Sequence, residues 1–260
     1  MKALLVNDDE RYFYAQKYLE SHGVNFVNDF TNKNPIDFIL FNFRNKLDEN
    51  IFDDNFFLKL TNQNKQVKVF SGIEHEYLNI QSKKNNFSYV PLINIKSIAI
   101  LNSVPTSEGV IGYLINNLNK TIWSSKILVI GYGNCGKTIS KKLLALGSKT
   151  YIYTKSKSNY AKAETDNIKC IYNKNDIFKK NFDVIINTAP TKIFEDNEIE
   201  LLNSDVSLID ITYVGFNLDI AKKKNKISNR LLGIPAKVAP KTSGELLAKH
   251  ILDLVGERNE

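Results

Sequence analysis

The sequence predicts an α/β protein with two domains, each built around a parallel sheet. Short apolar segments alternate with segments whose apolar residues recur at helical spacing, from one end of the chain to the other. The segment 36–41 is apolar at nearly every position, which is typical of a strand covered on both faces. The alternation starts again at residue 126, so the 260 residues divide into two units of ordinary domain size.

The first unit is predicted from strands that alternate with amphipathic segments. The strands are residues 3–6, 24–27, 36–41 and 67–70. The helices are residues 12–21 and 51–60. This order is typical of a layered α/β domain, in which helices cover a parallel sheet.

The second unit repeats the order. Its strands are residues 126–130, 149–153, 168–172, 183–187 and 206–210. A helix is predicted over 137–146, with Gly147 as its stop signal, and another closes the chain.

These elements divide the chain at the segment around Pro105. We expect an N-terminal domain over residues 1–104, against which a C-terminal helix over 242–256 packs back. A connecting helix over 105–120 leads into a second domain over 121–241. Pro105 ends any preceding strand, and Thr106 or Ser107 can cap the helix that follows.

The net charge of +7, from 35 Lys and Arg against 28 Asp and Glu, raises the question of a nucleic-acid partner. The basic residues are scattered, however, and no stripe of them alternates with aromatic residues. We therefore attribute the charge to the Lys-rich composition and expect no nucleic acid.

Cysteine and histidine usage indicates neither a disulfide framework nor a metal site. Cys135, Cys170 and the three histidines lie at wide spacings. The amino terminus passes from a very short apolar run to acidic residues, unlike a signal peptide, and no apolar run approaches the length of a membrane span. We expect a cytoplasmic protein without a metal or a membrane partner.

A glycine-rich motif is the sharpest local signal. It consists of Gly131, Tyr132, Gly133, Asn134, Cys135 and Gly136. It follows a predicted strand and opens a predicted helix, the context in which such a motif holds a dinucleotide pyrophosphate at the helix amino terminus. Gly131 permits the turn, Gly133 the close approach of a phosphate, and Gly136 the packing of helix on strand. The motif predicts a Rossmann-type doubly wound sheet, and Cys135 is interpreted as a small filler.

The end of the next strand favours NADP over NAD. NAD sites usually place an acidic residue here, on the ribose hydroxyls, but the first acid after the motif is Glu164. The segment instead offers hydroxyls and positive charges that suit a 2′-phosphate. Its residues are Thr154, Lys155, Ser156 and Lys157. The alternative is that the two lysines belong to a solvated loop.

Two later strand ends complete the predicted cofactor site. Thr188, Ala189 and Pro190 follow one strand, at the edge where open α/β sheets bind ligands. Asp210 ends the next strand and is expected on the nicotinamide side. The alternative for Asp210 is an acid that caps a helix or orders a loop.

Hydroxyl and charged residues beside prolines suggest a site for a small dicarboxylate. One group is Ser103, Thr106 and Glu108, beside Pro105, and the other is Lys241 and Thr242. The second group is equally explained by a rigid connection in which Thr242 or Ser243 caps the last helix. A 2-hydroxy-acid dehydrogenase is disfavoured, because the three histidines lie outside the predicted cofactor domain.

Residues 102–109 resemble the Asn-Ser-Ile-Pro-Thr-x-Glu-Gly motif of the A subunits of dipicolinate synthase from spore-forming bacteria. Residues 238–244 resemble the Val-Ala-Pro-Lys-Thr-Ala-Gly motif of the same family. The glycine motif and residues 186–190 follow in the expected order, and the resemblance covers about residues 96 to 255. Residues 7–11 depart from the family's Gly-Gly-Asp-x-Arg, and Ala236 stands where the family tends to have glycine.

The resemblance implies an NAD(P)-dependent dehydrogenase that oxidises a dihydrodipicolinate-type precursor to dipicolinate in the mother cell during sporulation. It also implies a second, flavoprotein-like B subunit. On this basis Ser103, Thr106, Lys241 and Thr242 are expected to hold the substrate carboxylates, and Glu108 and Lys241 are the catalytic candidates. Whether the chain forms a homo-oligomer stays open.

Two other functions stay open. Residues 187–190 also resemble the shikimate-type dehydrogenases, although the Lys–Asp pair of that group does not stand in its usual motif. A non-catalytic nucleotide-binding subunit is the second, because fold alone does not fix function.

Overall fold

The computed structural model describes residues 1–6, 9–28, 35–41, 47–223 and 227–256. The chain forms two compact units. Unit 1 consists of Met1–Asn102 and Ala239–Glu260, and unit 2 of Ser103–Val238. Each contains a parallel sheet with helices, so the predicted α/β class with two such units is confirmed.

Unit 1 is built on a sheet whose described strands number five, in the order β2-β1-β3-β4-β5, with every pair parallel. The strands are β1 (Lys2–Val6), β2 (Asn25–Val27), β3 (Phe38–Phe41), β4 (Lys68–Ser71) and β5 (Ser88–Pro91). The helices between them are α1 (Glu10–Ser21), α2 (Asp54–Gln63) and α3 (Glu76–Asn85). All four residues of β3 are buried, as its apolar sequence predicts for a strand covered on both faces. The sequence analysis did not predict α3 or β5.

The helix that leads out of unit 1 is α4 (Lys96–Asn117). The prediction that this helix starts at residue 105 and ends at 120 was wrong, since Pro105 lies inside it. Buried residues on both sides of the proline, Ile98 before it and Val110 after it, hold the helix in place. The packing of these apolar side chains therefore outweighs the energetic cost of the backbone hydrogen bond that a proline cannot donate.

The length and composition of α4 would also suit a membrane span, contrary to the sequence prediction that no segment approaches one. Its apolar window has a mean hydropathy of 1.3, and 39% of the window is buried inside the protein. Val110 and Leu114 belong to the core of unit 2. The core of a folded α/β unit accounts for the apolar face of this helix.

Unit 2 is built on a sheet whose described strands number six, in the order β11-β10-β9-β6-β7-β8, again with parallel pairs. The strands are β6 (Lys126–Ile130), β7 (Lys149–Tyr153), β8 (Lys169–Ile171), β9 (Val184–Asn187), β10 (Ser207–Asp210) and β11 (Ser228–Arg230). The helices among them are α5 (Asn134–Ala145), α6 (Lys157–Thr165), α7 (Asn175–Phe178), α8 (Asp196–Leu201), α9 (Leu218–Lys223) and α10 (Ile234–Val238). From β6, the first strand of this sheet, the chain adds β7 and β8 on one side and then β9, β10 and β11 on the other. This order confirms the predicted Rossmann-type doubly wound sheet.

Strand β6 shows why this sheet is buried on both sides. Ile127 and Val129 face one core, which includes residues of α4 and α5. Leu128 and Ile130 face the other core, together with Phe182 and further aromatic residues. Alternate side chains of a strand point to opposite faces, so a uniformly apolar strand requires a helical layer on each face.

The closing helix α11 (Pro240–Gly256) packs against α1 within unit 1, as predicted. Leu247, Ala248 and Ile251 join the core that also contains Tyr12. The helix begins before the residues that were considered as caps, because Pro240 suits the first helical position. Its Gly244 lies so close to α1 that a Cβ would stand 2.2 Å from the carbonyl oxygen of Arg11.

We predict that Gly244→Ala lowers the free energy of unfolding of unit 1 by about 1–3 kcal/mol, because the added methyl group must displace the α1 backbone. Gly112→Ala in α4 is the matched control, since nothing lies within 4 Å of a Cβ there. It should leave stability unchanged or raise it. Urea unfolding curves measure both, and equal midpoints for Gly244→Ala and the wild type would contradict the prediction.

Candidate functional site

A pocket of about 380 Å³ lies at the carboxyl ends of β6, β7 and β9 in unit 2. Parallel strands end at the same edge, so the loops that follow them converge there. The lining residues are Ile130, Gly131, Tyr132, Gly133, Tyr153, Thr154, Lys155, Ser156, Asn159, Thr188, Ala189, Pro190, Thr191 and Ile193. Most of the predicted cofactor-binding residues are among them, drawn from three separate segments of the chain.

The three motif glycines occupy different surroundings. Gly131 has φ +93°, and its amide donates to the carbonyl oxygen of Tyr153 at 2.8 Å. A Cβ at Gly136 would stand 2.2 Å from the Gly131 carbonyl oxygen, so only glycine lets α5 approach the turn. A Cβ at Gly133 would meet nothing within 4 Å. Open space in front of Gly133 is the cradle that a phosphate needs.

The amino terminus of α5 adds electrostatic attraction for an anion. The helix starts at Asn134, and Gly133 before it provides no side-chain cap. The first amide groups of a helix lack intrahelical acceptors and carry the positive end of its dipole. The loop and the helix therefore form a site suited to a pyrophosphate.

The wall that follows β7 contains a cation but no carboxylate. Thr154 is buried, and its hydroxyl accepts the Ser156 amide at 3.3 Å. Ser156 caps α6 by accepting the Asn159 amide. Lys155 is exposed and lines the pocket, whereas Lys157 is exposed as the first residue of α6 and is not one of its lining residues.

The segment that follows β9 is fixed by partly buried hydrogen bonds. The Thr188 hydroxyl donates to the Ile130 carbonyl oxygen at 2.9 Å. Asn187 bonds twice to Ala189, receiving its amide and donating to its carbonyl oxygen, both at 3.1 Å. Asn187 is fully buried and was not singled out from the sequence. Its position as the last residue of a predicted strand was the available signal.

Asp210 orders the loop after β10 and does not line the pocket, which corrects its prediction as a cofactor contact. Its side chain is fully buried. Its Oδ1 accepts the amide and the hydroxyl of Thr212 at 2.9 and 2.8 Å, and its Oδ2 accepts the Phe216 amide at 2.9 Å. The Asn187 side-chain amide donates to Oδ1 at 3.1 Å. A carboxylate engaged in this way holds its own loop, the alternative that the sequence left open.

Ser103 and Thr106, predicted to bind substrate, face α5 inside unit 2. Both are buried, and the Ser103 hydroxyl lies 2.8 Å from that of Thr138. Thr106 is hydrogen-bonded to the Cys135 thiol. These hydroxyls are engaged with side chains of α5, and their contact with a substrate stays a prediction. Both residues lie in α4, which continues through Pro105.

Glu108 of α4 pairs with Lys142 of α5, with 2.8 Å between Oε1 and Nζ. The glutamate side chain is half-exposed. Its catalytic role stays a prediction.

Cys135, Asn134 and Gly136 belong to the turn and to the start of α5, away from the pocket lining. Burial raises the pKa of the Cys135 thiol, and the hydrogen bond with Thr106 opposes this in part. A thiol with a raised pKa is a poor nucleophile. This agrees with its interpretation as a small filler.

Lys241 and Thr242 lie in the first turn of α11 in unit 1, and both are exposed. His22, His75 and His250 belong to unit 1 as well. In the departing segment near the amino terminus, Asn7 and Asp8 lie outside the described residues. Its Asp9 caps α1, accepting the Arg11 amide at 3.0 Å and the Arg11 guanidinium Nε at 2.8 Å.

Comparison with known proteins identifies a domain profile, a sequence relative and a crystal structure that are similar to this chain. A sequence profile of the D-isomer specific 2-hydroxyacid dehydrogenase NAD binding domain matches residues 114–212. The dipicolinate synthase A subunit of Bacillus subtilis (strain 168) is 30% identical over 199 residues, which cover 73% of this chain and 65% of that protein. The crystal structure of the dipicolinate synthase A subunit from Bacillus halodurans has a TM-score of 0.86 at 26% identity, covering 98% of this chain and 97% of that one.

The chain is a relative of the dipicolinate synthase A subunits. The match to the curated Bacillus subtilis protein spans just under two thirds of that protein's length. The D-isomer specific 2-hydroxyacid dehydrogenase of Lactobacillus delbrueckii ssp. bulgaricus shares the fold, with a TM-score of 0.62 at 12% identity over 98% of this chain and 95% of that one. The sequence analysis identified the dipicolinate synthase relationship but not this structural similarity.

These comparisons support a dehydrogenase-type role and a nicotinamide cofactor for this dipicolinate synthase relative. The structure fits such a cofactor independently, through the open space at Gly133 and the uncapped start of α5.

Beneath the glycine motif, an ion cluster ties α5 to the end of α6. Asp166 receives Lys141 Nζ at 2.7 Å and Lys137 Nζ at 3.1 Å. The Tyr132 hydroxyl donates to Asp166 at 2.8 Å. These contacts, the Lys141 hydrogen bond first, lower the pKa of Asp166 to about 2, and burial together with the Asp166 bond raises the pKa of Tyr132.

We predict that this cluster makes unit 2 sensitive to acid. The pKa of Asp166 is lower in the folded state than its ordinary value of 3.8, so the ionised group stabilises the fold above that pH and the contribution is lost as the pH falls to about 2. Asp166→Asn should therefore lose less of its unfolding free energy than the wild type between about pH 5 and pH 2.

Asp176→Asn is the control for this experiment, since Asp176 pairs only at the surface with Lys179. It should follow the wild-type curve. Denaturant unfolding at a series of pH values gives the comparison. If the free energy of unfolding falls equally with decreasing pH in the wild type and in Asp166→Asn, the prediction is contradicted.

Proposed function

We propose that this chain is the A component of a two-component, dipicolinate-forming dehydrogenase. The observation that carries the proposal is a glycine loop with open space for a phosphate at the edge of a pocket, within a chain related to dipicolinate synthase A subunits along most of its length. The reaction is the oxidation of a dihydrodipicolinate-type precursor to dipicolinate. We place it in the cytoplasm of the mother cell during sporulation, and its partner is a flavoprotein-like B subunit.

The cofactor would be held by residues with distinct tasks. The amides after Gly133 would face the pyrophosphate, and Thr154, Lys155 and Ser156, which line the pocket, would face the adenosine ribose. Thr188 and Ala189 border the opposite side of the loop, toward the nicotinamide. When bound, the nicotinamide supplies the hydride acceptor.

The pocket favours NADP in our proposal. No carboxylate stands among its lining residues, and Lys155 contributes a positive charge. A carboxylate would repel a 2′-phosphate, whereas an ammonium group and nearby hydroxyls attract it. Lys157, on the first turn of α6, adds to the local positive potential.

The substrate would be a small dicarboxylate, and Lys241 and Thr242 are the exposed candidates to bind it. Removal of one hydride and one proton from the dihydro ring leaves an aromatic pyridine. Glu108 stays our candidate for accepting the proton. Ser103 and Thr106 would act indirectly, through the position of α5.

We predict that NADPH binds more tightly than NADH and that Lys155→Glu removes the difference, since the new carboxylate repels the 2′-phosphate. A reduction of at least tenfold in NADPH affinity, with little change for NADH, is the expected result. Lys149→Glu, at the amino end of β7, is the matched control and should change neither affinity. Fluorescence titration measures these constants. Equal binding of both cofactors by the wild type would rule out the NADP preference.

We predict that the protein, mixed with dihydrodipicolinate, NADP and the B subunit, produces the ultraviolet absorbance of dipicolinate together with NADPH. Gly133→Ala should weaken both signals while the chain stays folded, because the added Cβ enters the space before the loop and meets no protein atom within 4 Å. Omission of the B subunit shows whether the chain acts alone. A complete mixture that forms no dipicolinate would rule out the proposed reaction.

A further inference from the structure

The loop after β10, residues 211–217, is unusually well fixed for an exposed segment. Besides its bonds to Thr212 and Phe216, Asp210 lies so close to Gly215 that a Cβ there would stand 1.9 Å from Oδ2. Arg230 of β11 donates to the Phe216 carbonyl oxygen at 2.9 Å and approaches Asp210 at 3.4 Å. The loop is thus held at both ends and at its middle.

The tip of this rigid loop presents apolar side chains to solvent. Tyr213 is 69% exposed and Val214 is 59% exposed, whereas Phe216 is buried in the core. Burial of Phe216 and the Asp210 bonds fix the backbone, so the Tyr213 ring is displayed without the loss of entropy that a mobile loop would incur on binding. An exposed aromatic ring on a preorganised loop is suited to contact a ligand.

The position of the loop relative to the pocket indicates which end of a dinucleotide it would meet. The pyrophosphate loop follows β6, and the adenosine side follows β7. The order β10-β9-β6-β7 places the carboxyl end of β10 on the opposite side of β6. Two strand spacings separate it from β6, or about 10 Å. This is the side toward which the nicotinamide half extends.

Asn187 connects this loop physically to the pocket wall. Its side-chain amide donates to Ala189, which lines the pocket, and to both Asp210 and Thr212 of the neighbouring loop. The Thr212 hydroxyl in turn donates to Asp210. The Tyr213 loop and the pocket lining therefore share one set of hydrogen bonds, which are buried or partly buried.

We propose that Tyr213 is a specificity-determining residue whose ring packs against a flat pyridine-type ring bound at the nicotinamide end of the site. The inference rests on the proposed function for the identity of the ligands. Two rings share this chemistry, the nicotinamide of the cofactor and the ring of the substrate or product. Tyr213 supplies a flat apolar face to either, and Val214 extends that face.

The test compares ligands with and without the ring in the wild type, Tyr213→Leu and Tyr213→Phe. The ligands are NADP or NAD, whichever binds the wild type more tightly, the matching ADP-ribose compound that lacks nicotinamide, and dipicolinate in the presence of the dinucleotide. Isothermal titration calorimetry gives each affinity. Trp123→Leu is the matched control, since Trp123 is 72% exposed but precedes the amino end of β6.

Tyr213→Leu should weaken a ring-bearing ligand by roughly three- to tenfold and leave the ring-free compound unchanged. Tyr213→Phe should remain within about twofold of the wild type, since stacking does not need the hydroxyl. If only the affinity for the dinucleotide falls, the Tyr213 ring contacts the nicotinamide. If only the affinity for dipicolinate falls, the Tyr213 ring contacts the substrate.

Equal affinities of the wild type and Tyr213→Leu for both ring-bearing ligands would overturn the inference and leave the proposed function intact. An equal loss for the ring-free compound, or for Trp123→Leu, would also overturn it, because the effect would not depend on ring contact. A wild-type chain that binds neither dinucleotide nor dipicolinate would overturn the inference and the proposed function together.

Discussion

The buried hydrogen bond between Asn187 and Asp210 is the interaction on which the ligand edge of unit 2 depends. The two residues end the adjacent parallel strands β9 and β10 and stand opposite each other in the register. Each then controls the loop that follows its own strand. A buried carboxylate and a buried amide are costly unless their bonding capacity is used, so this pair permits one arrangement of both loops.

A second constraint acts on the other side of the phosphate loop, where α4 meets α5. Polar side chains of α4 contact Thr138, Cys135 and Lys142 of α5. The cluster around Asp166 ties the same helix to the end of α6. The helix that starts at the glycine motif is therefore held from two sides. Among these side chains are Ser103 and Thr106, which the sequence predicts as substrate contacts.

The strands and the glycine motif were predictable because their signals are local. Strands β6 and β7 match their predicted bounds, since each carries a short run of apolar and aromatic side chains that is mostly buried. The motif residues were predictable because a tight turn and a close helix approach each require glycine. The predicted start of α4 was wrong because a proline inside a helix normally costs stability. The sequence alone did not show that buried side chains before and after Pro105 offset this cost.

The sequence by itself determined the α/β class, the doubly wound second sheet, the phosphate loop and the relationship to dipicolinate synthase A subunits. Only the tertiary structure decided which polar residues are engaged within the protein and which are open to a ligand. Ser103 and Asp210 are buried, while Lys241 and Tyr213 are exposed. The physical reason is that a hydroxyl or carboxylate is equally suited to a ligand or to a backbone amide, and its neighbours in space select between them.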